Sequence, residues 1–327
     1  SDVYKRQPAL DAMGVEVLCG IQYLDQFDSW SLEHKDHIDY VLLSRPHISV
    51  QFLEAIKQNL NAKILYYGHD LHFRRLMDQY ELHRDKKYLN ESIAIQAIEE
   101  SLWTQSDVVY YPSESEAMLV RERLPGQVVR SITPYFFESN EEIGEKPPKP
   151  GGRSGILFVA GFGHTPNAEA ARWFVNDIFP RIRAERPQTS LWIVGSNPQK
   201  GVLDLARTDV IVTGYVSDEV LKSYYQKVRV SVVPLLYGAG VKGKVVESMH
   251  YGTPLVTTTV GAQGLTGLEK ILPVVDGPEA MADAILKLMS DDQEWYRVSK
   301  ASRAYVTRHF SREAMQSVFE QDIEIPR

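Results

Sequence analysis

Between Arg229 and Thr259 the chain reads RVSVVPLLYGAGVKGKVVESMHYGTPLVTTT, and the middle of this stretch holds the residue types that phosphate binding needs. An apolar run ends at Pro234, Gly238, Gly240 and Gly243 follow, and a helical pattern opens at Lys244. Glycines let backbone N–H groups approach a ligand closely. A helix N-terminus adds unbonded N–H groups and a partial positive charge, and Lys242 and Lys244 add full ones. Lys244 and Glu247 are three residues apart and share one helix face. The spacing predicts a phosphate-binding loop.

Two motifs compete for the same letters. Gly238-x-Gly240-x-x-Gly243 has the spacing of a dinucleotide fingerprint, but the acid expected on the next strand is missing, because that strand ends Thr257-Thr258-Thr259. Gly238-x4-Gly243-Lys244 approaches a P-loop, but Val245 stands where the magnesium-binding hydroxyl belongs, which argues against an NTPase. A second glycine loop, Gly161-Phe162-Gly163-His164-Thr165-Pro166-Asn167, also precedes a helix, with Thr165 suited to cap it and Pro166 to its first position. In the first half, LYYGHDLHFRR presents Gly68, His69 and Asp70 just past a strand end, with Arg74 and Arg75 able to face a phosphate or an acidic acceptor. The pairs His69/His72 and His34/His37 have an i, i+3 spacing but bring no evident third ligand, so no metal is predicted.

The elements that must carry these loops follow from periodicity. Short β-rich runs alternate with amphipathic stretches throughout, the pattern of parallel sheets with crossover helices. Strands are read at Val15–Cys19, Tyr40–Leu43, Lys63–Tyr67, Val108–Tyr111, Val128–Ile132, Ile156–Ala160, Ser190–Val194, Val210–Val212, Arg229–Val233 and Pro254–Thr257. Helices are read at Ile48–Asn59, Ser92–Thr104, Asn167–Arg183, Ser217–Lys227 and Lys244–His250, with a short one capped by Ser113 and a helical tail from Gly277. The acidic, Pro- and Gly-rich stretch Glu138 to Ser154 reads as a linker. The expected domains are residues 1–145, 146–310 and a final helix, 311–327, crossing back to the first; the opening residues read as a fragment lacking its first strand.

With 327 residues the chain suits two cores. A net charge of −7 argues against a general nucleic-acid binder. Cys19 is the only cysteine, which excludes an intrachain disulfide and favours a reducing compartment, here taken as cytoplasmic. No apolar run reaches the length of a membrane helix, so any membrane contact is expected to be peripheral, at the cytoplasmic face.

Pro234, Gly238-Ala239-Gly240, Lys244, Glu247 and Gly252-Thr253-Pro254, in that order, resemble the donor-binding region of the retaining group 1 glycosyltransferases. The resemblance implies a GT-B fold, an α/β architecture of two Rossmann-like doubly wound domains facing across a cleft. It implies a nucleotide-sugar donor (UDP-, GDP- or dTDP-sugar), a glycan, lipid-linked or small-molecule acceptor, retention of configuration, no required cofactor and a place in bacterial polysaccharide assembly. By the same resemblance Lys244 neutralises the diphosphate, Glu247 accepts from the ribose hydroxyls, His69 hydrogen-bonds the transferred sugar, and Tyr215 and Val216 lie beneath the nucleobase. Gly161, Phe162, Gly163 and Asn167 then flank the diphosphate. The family's first glutamate falls on Ala239, so backbone amides of Gly238, Ala239, Gly240 and Val241 are expected to hold the sugar instead. A sugar-nucleotide-binding module without transfer, a dinucleotide oxidoreductase and a sugar-nucleotide epimerase are the alternatives.

Overall fold

The computed structural model describes residues 7–8, 10–20, 23, 25–137, 149–238 and 240–324. The first part of the expected linker, 138–148, and Ala239 lie outside them. Two all-parallel sheets organise the chain. The first holds β1 (Tyr40–Ser44), β2 (Lys63–Tyr67), β3 (Val108–Tyr111) and β4 (Val129–Ser131) in sequence order. The second holds β5 (Ile156–Val159), β6 (Leu191–Val194), β7 (Val210–Gly214), β8 (Val230–Val233) and β9 (Leu255–Thr257) in the order β7-β6-β5-β8-β9. That order reverses between β5 and β8, and the crevice beyond the strand ends at such a reversal is where open α/β sheets bind ligands.

Alternation along each strand divides the cores. Ile64, Tyr66, Val109 and Tyr111 face the crossover helices of the first domain, where Leu53, Ile56, Phe73 and Trp103 meet them. Leu65, Val108 and Tyr110 face the other way, onto Met315, Val318 and Phe319 of the Arg312–Phe319 helix. The chain thus returns to the first sheet after building the second, and Phe137 N–H donates to Phe310 O at 2.8 Å where the two passages lie side by side.

Asp322 fixes this return. Its carboxylate accepts from Arg130 at 2.6 and 2.8 Å and from Tyr110 Oη at 2.7 Å. Burial works against the charge, but the bonds from Arg130 and Tyr110 outweigh it and hold the carboxyl below its usual range. Replacing Asp322 by Ala strands a guanidinium and a phenol, and should cost about 2–4 kcal/mol. A carboxyl with a depressed folded pKa stabilises above its unfolded value near 4 and loses that contribution as pH falls through the folded one. Urea unfolding should therefore separate the variant from the parent at pH 7, with the gap narrowing at pH 3; an equal midpoint at pH 7 would remove the clamp.

The helix expected at Ser92–Thr104 already starts at Lys86, a helix not expected covers His72–His83, and three further elements differ in form. Residues 15–19 form no strand and pair with none; Leu18 instead lines an apolar cleft with Phe27, Trp30, Val41 and Phe52. The expected 48–59 helix is two, Pro46–Ser49 and Leu53–Asn59, separated by tight turns in which Gln51 and Phe52 N–H donate three residues back. The expected 167–183 helix runs as Thr165–Trp173, a wide turn Phe174–Ile178, and Phe179–Glu185. Pro180 lacks an N–H and cannot bond into a regular ladder, which accounts for the wide turn just before it.

Candidate functional site

The glycine loop after β8 and the Gly243–His250 helix stand at the C-terminal edge of the second sheet, beside the Gly161–Asn167 loop that follows β5. One hydrogen-bond chain ties them: Lys244 Nζ donates to Asn167 Oδ1, and Asn167 Nδ2 donates to Gly161 O at 2.9 Å. Lys244 and Glu247 do not pair. Glu247 Oε2 instead accepts from Tyr225 Oη at 2.9 Å. Two sequence loops 77 residues apart thus converge on one ammonium group.

Burial, with the charge of Lys242 beside it, lowers Lys244 to about 7. Burial also lowers Lys242 to about 8, against the pull of Glu116 and Asp70. Lys242 Nζ donates to Gly240 O at 2.6 Å and to Gln263 Oε1 at 3.3 Å, closing the loop on itself. Burial raises Glu247. Cations held this far from water bind an anion strongly because little hydration is lost on contact.

The remaining residues of the two loops divide their work. Phe162 turns its ring into the core against Phe158, centroids 5.6 Å apart, and its N–H donates to Ser196 O at 2.8 Å, so it holds the loop and does not face its mouth. His164, and not Thr165, occupies the N-cap, with Thr165 and Pro166 in the first turn. Burial lowers His164, as do Arg75 from the other domain and Lys244. Val241 packs on the core and leaves the glycines on either side to shape the loop. Tyr215, just past β7, is 77% exposed, and Val216 packs against the cluster of Leu157, Val194 and Tyr225.

The first domain meets this loop at His69 and Asp70. Gly240 has φ 74°, and a methyl group there would lie 3.2 Å from Asp70 Cβ and 3.4 Å from His69 O, so a side chain would be strained and would push this approach apart. His69 itself has φ 59°, with Nε2 2.6 Å from Ser44 Oγ and its ring edge-on to Tyr67 at 4.7 Å. Burial lowers it, and Arg45 adds to the effect.

Behind His69 lies a carboxylate cluster that sequence reasoning missed. His72 Nδ1 sits 2.8 Å from Asp70 Oδ1 and 3.7 Å from buried Glu99; although burial opposes its charge, the two carboxylates raise it to about 9. Glu99 accepts from His72 and Phe73 N–H at 3.1 and 3.0 Å, capping the His72–His83 helix from a distance. Glu116 is raised to about 7 by burial, while bonds from Ser113 Oγ at 2.6 Å and Leu71 N–H at 3.2 Å work the other way. The spacing Ser113-x-x-Glu116 is a capping-box signal that could have drawn attention to it. Leu71, Arg74, Asp78, Ser113, Glu116 and Gly238 line an open crevice of about 260 Å³ between the domains. Arg74 and Arg75 are engaged by Asp78 and Asp70, at 3.3 and 3.4 Å.

Residues 153–291 match the family model described as glycosyl transferases group 1. An uncharacterized 44.6 kDa protein in the cps region of Klebsiella pneumoniae is 30% identical over 117 residues, a match that covers 33% of this chain and 30% of that protein. Among solved structures, sucrose-phosphate synthase from Thermosynechococcus elongatus aligns with a TM-score of 0.68 at 20% identity over 94% of this chain and 79% of its own. Anabaena HepE in complex with UDP and glucose gives 0.66 at 13% identity, over 96% and 88%. The α,α-trehalose 6-phosphate synthase of Burkholderia multivorans gives 0.64 at 15%, over 92% and 75%. The fold is GT-B, and the likeness read from Pro234 to Pro254 falls inside the segment that the family model matches. No helix among the described residues is long and apolar enough to cross a membrane.

Proposed function

We propose that this chain is a glycosyltransferase that takes a nucleotide-diphosphate sugar at the second domain and delivers the sugar to a hydroxyl of a glycan or lipid-linked acceptor approaching from the first. The observation that carries this reading is the chain Lys244–Asn167–Gly161, which places a buried cation between two helix N-termini at the topological reversal of the sheet. Lys244 and the N–H groups of both loops hold the diphosphate, Glu247 takes the ribose hydroxyls, and Gly238 to Val241 offer backbone donors to the sugar. His69 faces that sugar from across the cleft. Tyr215 and Val216 underlie the base.

Cleavage breaks the bond between the anomeric carbon and the phosphate oxygen, leaving its electron pair on the diphosphate. Lys244 and the helix termini act on that growing charge. The acceptor oxygen bonds to the same face of the anomeric carbon, giving retention, and its proton passes to the departing phosphate oxygen. No metal is assigned to the site. UDP-sugars are the first donors to try, because HepE was solved with UDP and glucose, and a cps-region relative supports a role in polysaccharide assembly.

Thermal unfolding with UDP-, GDP- and dTDP-sugars beside NAD tests the reading. One sugar nucleotide at a hundred times its Kd should stabilise the chain by about 2.7 kcal/mol, and NAD should not. Stabilisation by NAD alone would return the loop to the dinucleotide reading. Binding without transfer to any glycan acceptor would make the chain a sugar-nucleotide-binding module.

A further inference from the structure

Two hydroxyls of the first domain have no hydrogen-bond partner among the described residues: Tyr67 Oη, at the end of β2, and Tyr135 Oη, in the segment that leaves the first sheet. Both atoms are buried. Tyr135 lies over the first residue of the helix, for a methyl group at Gly243 would meet its Oη at 3.3 Å. The same hydroxyl feels the charges of Glu247, one turn along, and of Tyr67. Burial drives both phenols far above their ordinary range, and they remain proton donors throughout the pH range of a folded chain.

A buried donor without an acceptor costs about 1–3 kcal/mol. Such groups are uncommon in folded proteins, and one beside a binding loop calls for an explanation. Glu247, whose charge reaches Tyr135, already accepts from Tyr225. What the first turn of this helix attracts is an anion arriving from solution.

We propose that Tyr135 donates its O–H to the diphosphate of the donor, with Tyr67 as a second donor beside it. The leaving group is then gripped from the first-domain side as well as by Lys244. This rests on the donor assignment above. A phenol suits the position because it donates without adding positive charge beside Lys244, which Lys242 already disfavours.

Tyr135→Phe and Tyr67→Phe remove only the hydroxyls. The test is calorimetric titration of the parent chain, both variants and Lys244→Met with UDP, GDP and dTDP, together with thermal unfolding without nucleotide. Tyr135→Phe should unfold at the parent's temperature or slightly above it, while its affinity for the diphosphate falls about tenfold; Tyr67→Phe should show a smaller loss. Unchanged affinity in Tyr135→Phe, with affinity lost in Lys244→Met, overturns this inference and leaves the donor site standing. A lower unfolding temperature with unchanged affinity would make the hydroxyl structural and also overturns it. A parent chain that binds none of the three diphosphates overturns both.

Discussion

Lys244→Met should lose about a hundredfold or more in donor affinity and, at pH 6, should unfold at a higher temperature than the parent in the absence of nucleotide. Both effects come from one fact: burial, with Lys242 nearby, lowers the Lys244 ammonium to about 7 from its ordinary 10.5. Its hydrogen-bond partner is the neutral Asn167 Oδ1, which offers a dipole where a full charge needs an anion. A diphosphate supplies that anion, and a charge-assisted contact away from water is worth several kcal/mol in loss-of-partner experiments. The sign of the stability effect follows from linkage. Between pH 7 and 10.5 the unfolded chain binds more protons at this residue than the folded one, so its contribution to stability rises with pH across that window. Below pH 7 the cost of burying the charge is present in full, and Met, similar in length and uncharged, avoids it. The gain in unfolding temperature should therefore be largest near pH 6 and fade toward pH 10. Binding the diphosphate restores the proton, so the parent's affinity should weaken as pH rises from 7 to 9, by up to tenfold per unit. UDP titrations at pH 6, 7.5 and 9 check this; a flat profile, or a Met variant that binds as the parent does, would remove the phosphate from this loop.

Both halves of the hydrogen-bond chain could be seen in the sequence as separate glycine loops before helices, because the residues of each loop are consecutive. Their meeting at Lys244 could not, since it depends on β5 and β8 lying side by side, a consequence of the strand order. The right-handedness of parallel crossovers narrows that order but does not specify it from one sequence. Glu99 and Glu116 were missed for another reason. Each lies on a helix whose pattern explains it as an ordinary polar position, and only the fold shows their carboxylates turned inward to the N–H groups at Leu71, His72 and Phe73. Tyr67 and Tyr135 look like core aromatics, and their rings are; it is the hydroxyl that lacks a partner, and side-chain pairing has no sequence period. The expected strand at 15–19 failed because an apolar run reads alike whether it joins a ladder or lines a cleft, as Leu18 does.

Glu247→Ala should weaken the donor by about thirtyfold or more, and the loss should disappear when the ribose hydroxyls are removed. The carboxylate is half-buried, burial raises it, and Tyr225 Oη already occupies one of its oxygens at 2.9 Å. Tyr225 is 0% exposed, so its bond to Glu247 fixes the carboxylate and leaves the other oxygen for a ligand. Hydrogen bonds from neutral hydroxyls to a charged acceptor contribute about 1.5–3 kcal/mol each, which sets the size of the effect. The variant also strands the Tyr225 hydroxyl, so part of any loss in fold stability belongs to the core and not to the ligand. A double-mutant cycle separates the two. The parent should bind UDP far more tightly than 2′,3′-dideoxy-UDP, whereas Glu247→Ala should bind them about equally, and Tyr225→Phe should retain most of the discrimination at a lower unfolding temperature. If Glu247→Ala kept the full preference for the ribose hydroxyls, the carboxylate would be a structural partner of Tyr225 and the ribose would have to be held elsewhere on the second domain.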